Sequence, residues 1–107
     1  MTRRPRFTII FAPEALEHLD VIARKDHRLI RETVDRQLSF LPERVTRNRK
    51  PLEQPAPFRA TWELRFGPDN RCRVFYEVEY NARVIQVLAI GIKERNKLFV
   101  GGEEFEP

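Results

Sequence analysis

The sequence predicts an α+β domain in which two helices cover one face of an antiparallel meander. Three observations lead there. Residues 61–92 hold the longest strand-like alternation: Trp62, Leu64 and Phe66 alternate with Thr61, Glu63 and Arg65, and Cys72, Val74, Tyr76 and Val78 alternate with Arg71, Arg73, Phe75 and Glu77. Residues 13–41 repeat their apolar positions at helical spacing instead. Between the two regions, residues 42–57 contain four of the eight prolines and read as an irregular loop with no room for a helix.

Taken in order, residues 6–11 form a first strand with Phe7, Ile9 and Phe11 on one side. It stops before Ala12-Pro13, and Pro13 suits the first turn of a helix. Leu16, Leu19, Ile22 and Ala23 make that helix's apolar stripe. Asp26 is read as the cap of a second helix with the stripe Ile30, Val34, Leu38 and Leu41, ended by Pro42. In the meander, a five-residue loop at 67–71 pairs Leu64 with Val74 and Trp62 with Tyr76, so that one face is wholly apolar. A four-residue loop would set Leu64 against Arg73 and bury a charge. Asn81-Ala82 is short enough for a two-residue turn, although alanine is a poor choice where positive φ is needed; this turn sets Val78 opposite Ile85 and Tyr76 opposite Val87. The third strand, 83–92, is apolar on both faces. The tail, 93–107, is polar apart from Leu98, Phe99, Val100 and Phe105, and its residues 98–100 form an edge strand or lie across the open sheet face.

A chain of 107 residues that is 41% hydrophobic reads as one domain, 1–107, able to bury a core without staples. Cys72 faces that core and has no disulfide partner, which fits a reducing, cytoplasmic setting. Residues 1–11 lack the long apolar stretch of a signal peptide, and no run approaches a membrane span. His18 and His27 lie on or between helices, and no Cys or carboxylate cluster has ligand spacing, so neither metal nor cofactor is expected. His18 reads as a solvated helix residue. A Ser or Cys nucleophile with a His base is unsupported as well, because Cys72 is buried and Ser39 is on a helix. The net charge is +4, and Arg44, Arg47, Arg49 and Lys50 form a basic run with no acid between Glu43 and Glu53, which leans toward a polyanionic partner.

The same register puts Arg65 opposite Arg73 on the face away from the helices. Like charges facing across a ladder are unfavourable unless an anion sits between them, either a phosphate or a carboxylate such as Glu63 or Glu77. Two arginines solvated beside a glutamate are the plainer alternative. Phe75, Leu88, Ile90 and Ile92 are placed on this face too. They form an apolar patch that either the tail or a partner must cover.

The order of elements and the strings TWELRF, RCRVFYEV and VLAIGIKERNKLF resemble the RelE/ParE superfamily of toxins from bacterial type II toxin-antitoxin modules, over Phe7 to about Gly102. TRNRKPL followed by WELR and RVFYEV is more similar to RelE-like members than to the gyrase-directed ParE branch. The resemblance implies a RelE-like fold and a metal-independent mRNA endoribonuclease acting on the ribosome, where basic side chains help a ribose 2′-hydroxyl attack the adjacent phosphate. It places Arg73 on a phosphate-binding arginine of the family, with Arg65 and Lys93 beside it and Glu63 as the candidate base. Thr61 and Glu63 stand where the best-known RelE enzymes have lysines, Lys93 replaces an arginine and Phe99 a tyrosine. Arg47, Arg49 and Lys50 are expected to grip RNA phosphates away from the cut, with Phe99 stacking on a base. A cognate antitoxin with a partly disordered tail is the implied partner, covering Phe75, Leu88, Ile90 and Ile92 or the basic face. Those departures from the family pattern keep two alternatives open: a ParE-like inhibitor of DNA gyrase, and a degenerate antitoxin-binding module without toxicity.

Overall fold

The computed structural model describes residues 6–106; Met1 to Pro5, on which the reading of the N-terminus partly rests, and Pro107 lie outside them. The elements are β1 (Thr8–Phe11), α1 (Pro13–Asp20), α2 (Arg24–Leu38), β2 (Arg49–Pro51), β3 (Trp62–Phe66), β4 (Cys72–Glu79), β5 (Val84–Glu94), β6 (Lys97–Val100) and β7 (Glu103–Phe105). Strands β2 to β7 follow one another across an antiparallel sheet, and β1 lies parallel to the first half of β5. Since β4 pairs along the whole of β5, β1 and β6 share its other edge, one after the other. The α+β layer expected from the sequence is therefore present, with more strands than the meander alone.

Pro13 opens α1 as expected, but the helix stops at Asp20. Ala23 is the N-cap of α2, and Asp26 lies inside the first turn, where its carboxylate favours the positive end of the helix. Ile30, Val34 and Leu38 are buried, whereas Leu41, beyond the end of α2, is exposed. The helices pack with Leu64, Val74, Tyr76, Ile85 and Val87 in one core. The Tyr76 hydroxyl donates to the Pro42 carbonyl at 2.8 Å and ties the proline-rich loop to the sheet. Burial pushes this phenol well above its ordinary pKa.

The β3–β4 register is the one that apolar parity demands, with Trp62 opposite Tyr76, Leu64 opposite Val74 and Arg65 opposite Arg73. Across β4 and β5, Val78 meets Ile85 and Tyr76 meets Val87. Their connection resolves the alanine problem. The Arg83 amide closes on the Tyr80 carbonyl at 3.1 Å, and Arg83, with φ 52°, takes the left-handed conformation that Ala82 is spared.

Leu88 then overturns one expectation. It is an extra residue between the Tyr76–Val87 and Phe75–Ala89 pairs, a bulge that inverts the parity of the rest of β5. Ile90 and Ile92 consequently turn into the helix-side core. Phe75, 3% exposed, is covered as well: with Ala60 and Ala89 it forms a second cluster, packed by Leu52, Phe58, Leu88, Leu98 and Val100. The exposed patch of Phe75, Leu88, Ile90 and Ile92 does not exist in this fold. Phe58 lies with its ring centroid 5.4 Å from that of Phe75 and 5.0 Å from that of Phe105. The tail covers the sheet, as one of the two expectations had it, through a β6–β7 hairpin that turns at Gly101-Gly102.

Residues 42–57 are not wholly irregular either. Within them, β2 pairs Arg49 with Leu64 and Lys50 with Glu63, so successive side chains of the basic run go to opposite faces.

Candidate anion-binding groove

On the face away from the helices, neighbouring strands bring together Lys50 of β2, Glu63 and Arg65 of β3, Arg73 of β4 and Lys93 of β5. Glu63 is at the centre and only 5% exposed. Its Oε1 accepts from Arg65 Nε at 2.5 Å and lies 3.9 Å from Lys50 Nζ, while its Oε2 is 3.9 Å from Arg73 Nη1. The carboxylate thus separates the two facing arginines. Arg73 is anchored through Nε, which donates to the Asn70 carbonyl at 3.0 Å. Burial, with the adjacent Arg65 charge, lowers its pKa against the opposing pull of Glu63, so Arg73 carries a cation short of solvation. Asn48, just before β2, fixes Arg65: its carbonyl accepts from the Arg65 amide at 2.7 Å and its Nδ2 donates to the Arg65 carbonyl at 2.8 Å.

A groove of about 440 Å³ opens over this cluster, lined by Glu63, Arg73, Phe75 and Lys93 and rimmed by Lys97 and Glu104. Lys97 and Glu104 themselves lie 3.8 Å apart. Lys97 went unnoticed in the sequence. Its signal was Arg95-Asn96, a two-residue turn with φ of 51° and 66° that pairs Glu94 with Lys97 and folds the tail back over the sheet. Gly91 makes the fold-back feasible: a Cβ there would come within 2.9 Å of Leu98 Cδ1 and 3.0 Å of the Phe99 carbonyl oxygen.

Of the four residues expected at an RNA surface, Arg49 and Phe99 are placed otherwise. Arg49, 7% exposed, faces the helices and donates from Nη1 to the carbonyls of Gln37 at 2.9 Å and Leu41 at 2.8 Å, closing the C-terminal end of α2. Phe99 shares the helix-side face with its partner Ile92 and lines a separate cavity of about 230 Å³ beside Val21 and Ile22. It cannot stack on a base held in the groove. Lys50 is on the groove face, paired with Glu63, and Arg47 is exposed in the loop before β2. The basic run therefore does not act as one grip.

His18 is also not a solvated residue. Between the end of β1 and the start of β6, the edge of β5 is unpaired, and His18 Nδ1 accepts from the Ile90 amide there at 3.3 Å. Desolvation lowers its pKa, against the opposing charges of Glu17 and Glu14. An imidazole neutral at Nδ1 is what this contact requires. Among the described residues no group of three or more His, Cys, Asp or Glu is placed to hold a metal ion, and no helix is long and apolar enough to cross a membrane.

The fold is thus a sheet with a helical hairpin on one face and clustered Arg, Lys and Glu on the other. Residues 9–97 match the sequence model of the ParE toxin of the type II toxin-antitoxin system parDE, and the chain belongs to that family. No curated protein matches it significantly in sequence. Among solved structures, it is similar to a chain of the RelBE2 toxin-antitoxin complex from Mycobacterium tuberculosis, with a TM-score of 0.70 and 20% identity over 87% of this chain and 98% of that one. At that identity the likeness is one of fold. The family model thus bears out the RelE/ParE superfamily expected from the sequence strings, and the solved structure bears out the RelE-like fold.

Proposed function

We propose that this chain is the toxin of a type II pair, that it acts in the cytoplasm, and that it cleaves mRNA on the ribosome until a cognate antitoxin neutralises it. The observation that carries this reading is the grouping of Arg65 and Arg73 on Glu63, with Glu63, Arg73 and Lys93 lining one groove. Arg73, anchored at Nε, presents its two terminal nitrogens as a rigid fork for a phosphodiester, and Lys93 adds a second charge. Attack by a ribose 2′-hydroxyl concentrates negative charge on the phosphate oxygens, which these cations stabilise. Glu63 Oε2, the oxygen not taken by Arg65, accepts the hydroxyl proton, and Lys93 supplies one to the departing 5′-oxygen. The antitoxin remains the proposed partner, with a changed route: a segment seeking Phe75 and Leu88 must first lift the β6–β7 hairpin from them.

Two observations favour a second reading, inhibition of DNA gyrase without RNA cleavage. Phe99 is on the wrong face to serve the groove, and the family model is the ParE one. Purified protein tested in a translation extract and in a gyrase supercoiling assay separates the two. The nuclease reading expects arrested translation, shortened message and unimpaired supercoiling. Blocked supercoiling with intact message would replace it with the second.

A further inference from the structure

Resting on the phosphate-binding reading of the groove, we infer that Glu63 is the resting occupant of the anion site, a built-in counter-ion that an incoming phosphodiester displaces. Arg65 and Arg73 face each other in register, an arrangement that needs an anion between them, and the carboxylate of Glu63 provides it from the same strand as Arg65. The match is incomplete. One carboxylate serves three cations, and only the Arg65 contact is a hydrogen bond; Lys50 and Arg73 each remain 3.9 Å away. Arg73 consequently retains donor capacity toward the groove, beside Lys93.

A phosphate that binds Arg73 and Lys93 brings negative charge next to the Glu63 carboxylate, at a distance where like charges repel strongly in a poorly solvated site. Arg65, whose side chain is 35% exposed, is free to transfer its fork from Glu63 to the phosphate. The exchange leaves Glu63 without its hydrogen-bonded cation only when substrate is present. The carboxylate is thereby released to accept the 2′-hydroxyl proton in the bound complex and held in an ion pair otherwise. Glu63 then opposes binding and promotes cleavage, and the two effects have opposite signs in one variant.

The test compares wild type, Glu63→Gln and Arg73→Ala for affinity toward inorganic phosphate and a short single-stranded RNA, and for message cleavage in a translation extract. Glu63→Gln is expected to bind both probes about tenfold more tightly, having lost a competing charge within about 4 Å, while cleaving more slowly. Affinity equal to or weaker than wild type overturns the inference. Arg73→Ala keeps the two levels apart: if it binds phosphate as well as wild type does, the groove is not a phosphate site and the underlying reading fails, whatever Glu63→Gln does. Should Glu63→Gln not fold, the wild-type chain still decides. On phosphate titration the Arg65 Nε–H resonance should shift with the same midpoint as that of Arg73; a stationary Arg65 signal overturns the exchange. Binding of a glutamate-rich peptide in the groove with no response to phosphate also overturns it, in favour of a protein carboxylate as ligand.

Discussion

Replacing Arg49 with alanine should cost stability rather than RNA contact. The side chain supplies two charge-assisted hydrogen bonds from Nη1, to the Gln37 and Leu41 carbonyls at 2.9 and 2.8 Å, where α2 runs out of its own amide donors. Bonds to a charged donor contribute about 1.5–3 kcal/mol each; in the variant the Gln37 carbonyl loses its side-chain donor, while the Leu41 carbonyl keeps the Arg44 amide at 3.1 Å. Part of this is recovered, because the Arg49 Nε–H is buried without an acceptor and its desolvation is relieved. The net loss is about 2–3 kcal/mol, roughly 10–20 °C in Tm for a domain of this size. Thermal and urea unfolding followed by circular dichroism measure it directly. A shift below about 2 °C together with weakened ribosome association would restore Arg49 to the RNA-gripping role that its neighbours in sequence suggest, and refute the capping argument.

Gly91→Ala should push β6 off β5, since the added methyl meets the Phe99 carbonyl oxygen at 3.0 Å and Leu98 Cδ1 at 2.9 Å. A loss of about 1–3 kcal/mol is expected, with faster amide exchange across residues 97–105; unchanged exchange there would contradict it. For His18, the folded-state pKa lies below the unfolded value, so the unfolded chain takes up the proton first as pH falls. Its contribution is complete above the ordinary histidine pKa near 6.5 and declines as pH drops below that toward the depressed folded value. Tm should accordingly fall between about pH 7.5 and 5 more steeply in wild type than in His18→Gln, and parallel curves would rule this out. Cys72, buried and with its thiol pKa raised by desolvation, should react with an aromatic disulfide reagent only on unfolding. Rapid labelling of the native chain would mean that the sheet opens at β4.

What could be read from the sequence follows from where parity carries information. Strands β3 and β4 alternate cleanly, and one register alone keeps Arg73 out of the core, so the Arg65–Arg73 pair and the Glu63 face were legible before any coordinates. Strand β5 is apolar on both faces, which is why the bulge at Leu88 left no trace and Ile90 and Ile92 were assigned to the wrong side. The basic run misled for a related reason. Four cations in seven residues look like one surface, yet Arg49 and Lys50 are consecutive residues of a strand and point to opposite faces. The role of His18 depends on a gap between β1 and β6 along one edge of β5, a tertiary feature with no local signature. Asp26 had the composition of a cap without its geometry, because the short turn after Asp20 lets α2 begin three residues earlier, with Ala23 as the cap.

Message integrity in arrested cells tests the central claim most directly. Transcript 5′ ends are mapped after brief expression of wild type and of Arg73→Ala, the variant that removes the fork lining the groove. The account predicts new ends inside translated regions, in step with growth arrest, and their disappearance together with the arrest in Arg73→Ala. Growth arrest with intact transcripts, or cleavage that persists at full rate without Arg73, would contradict it.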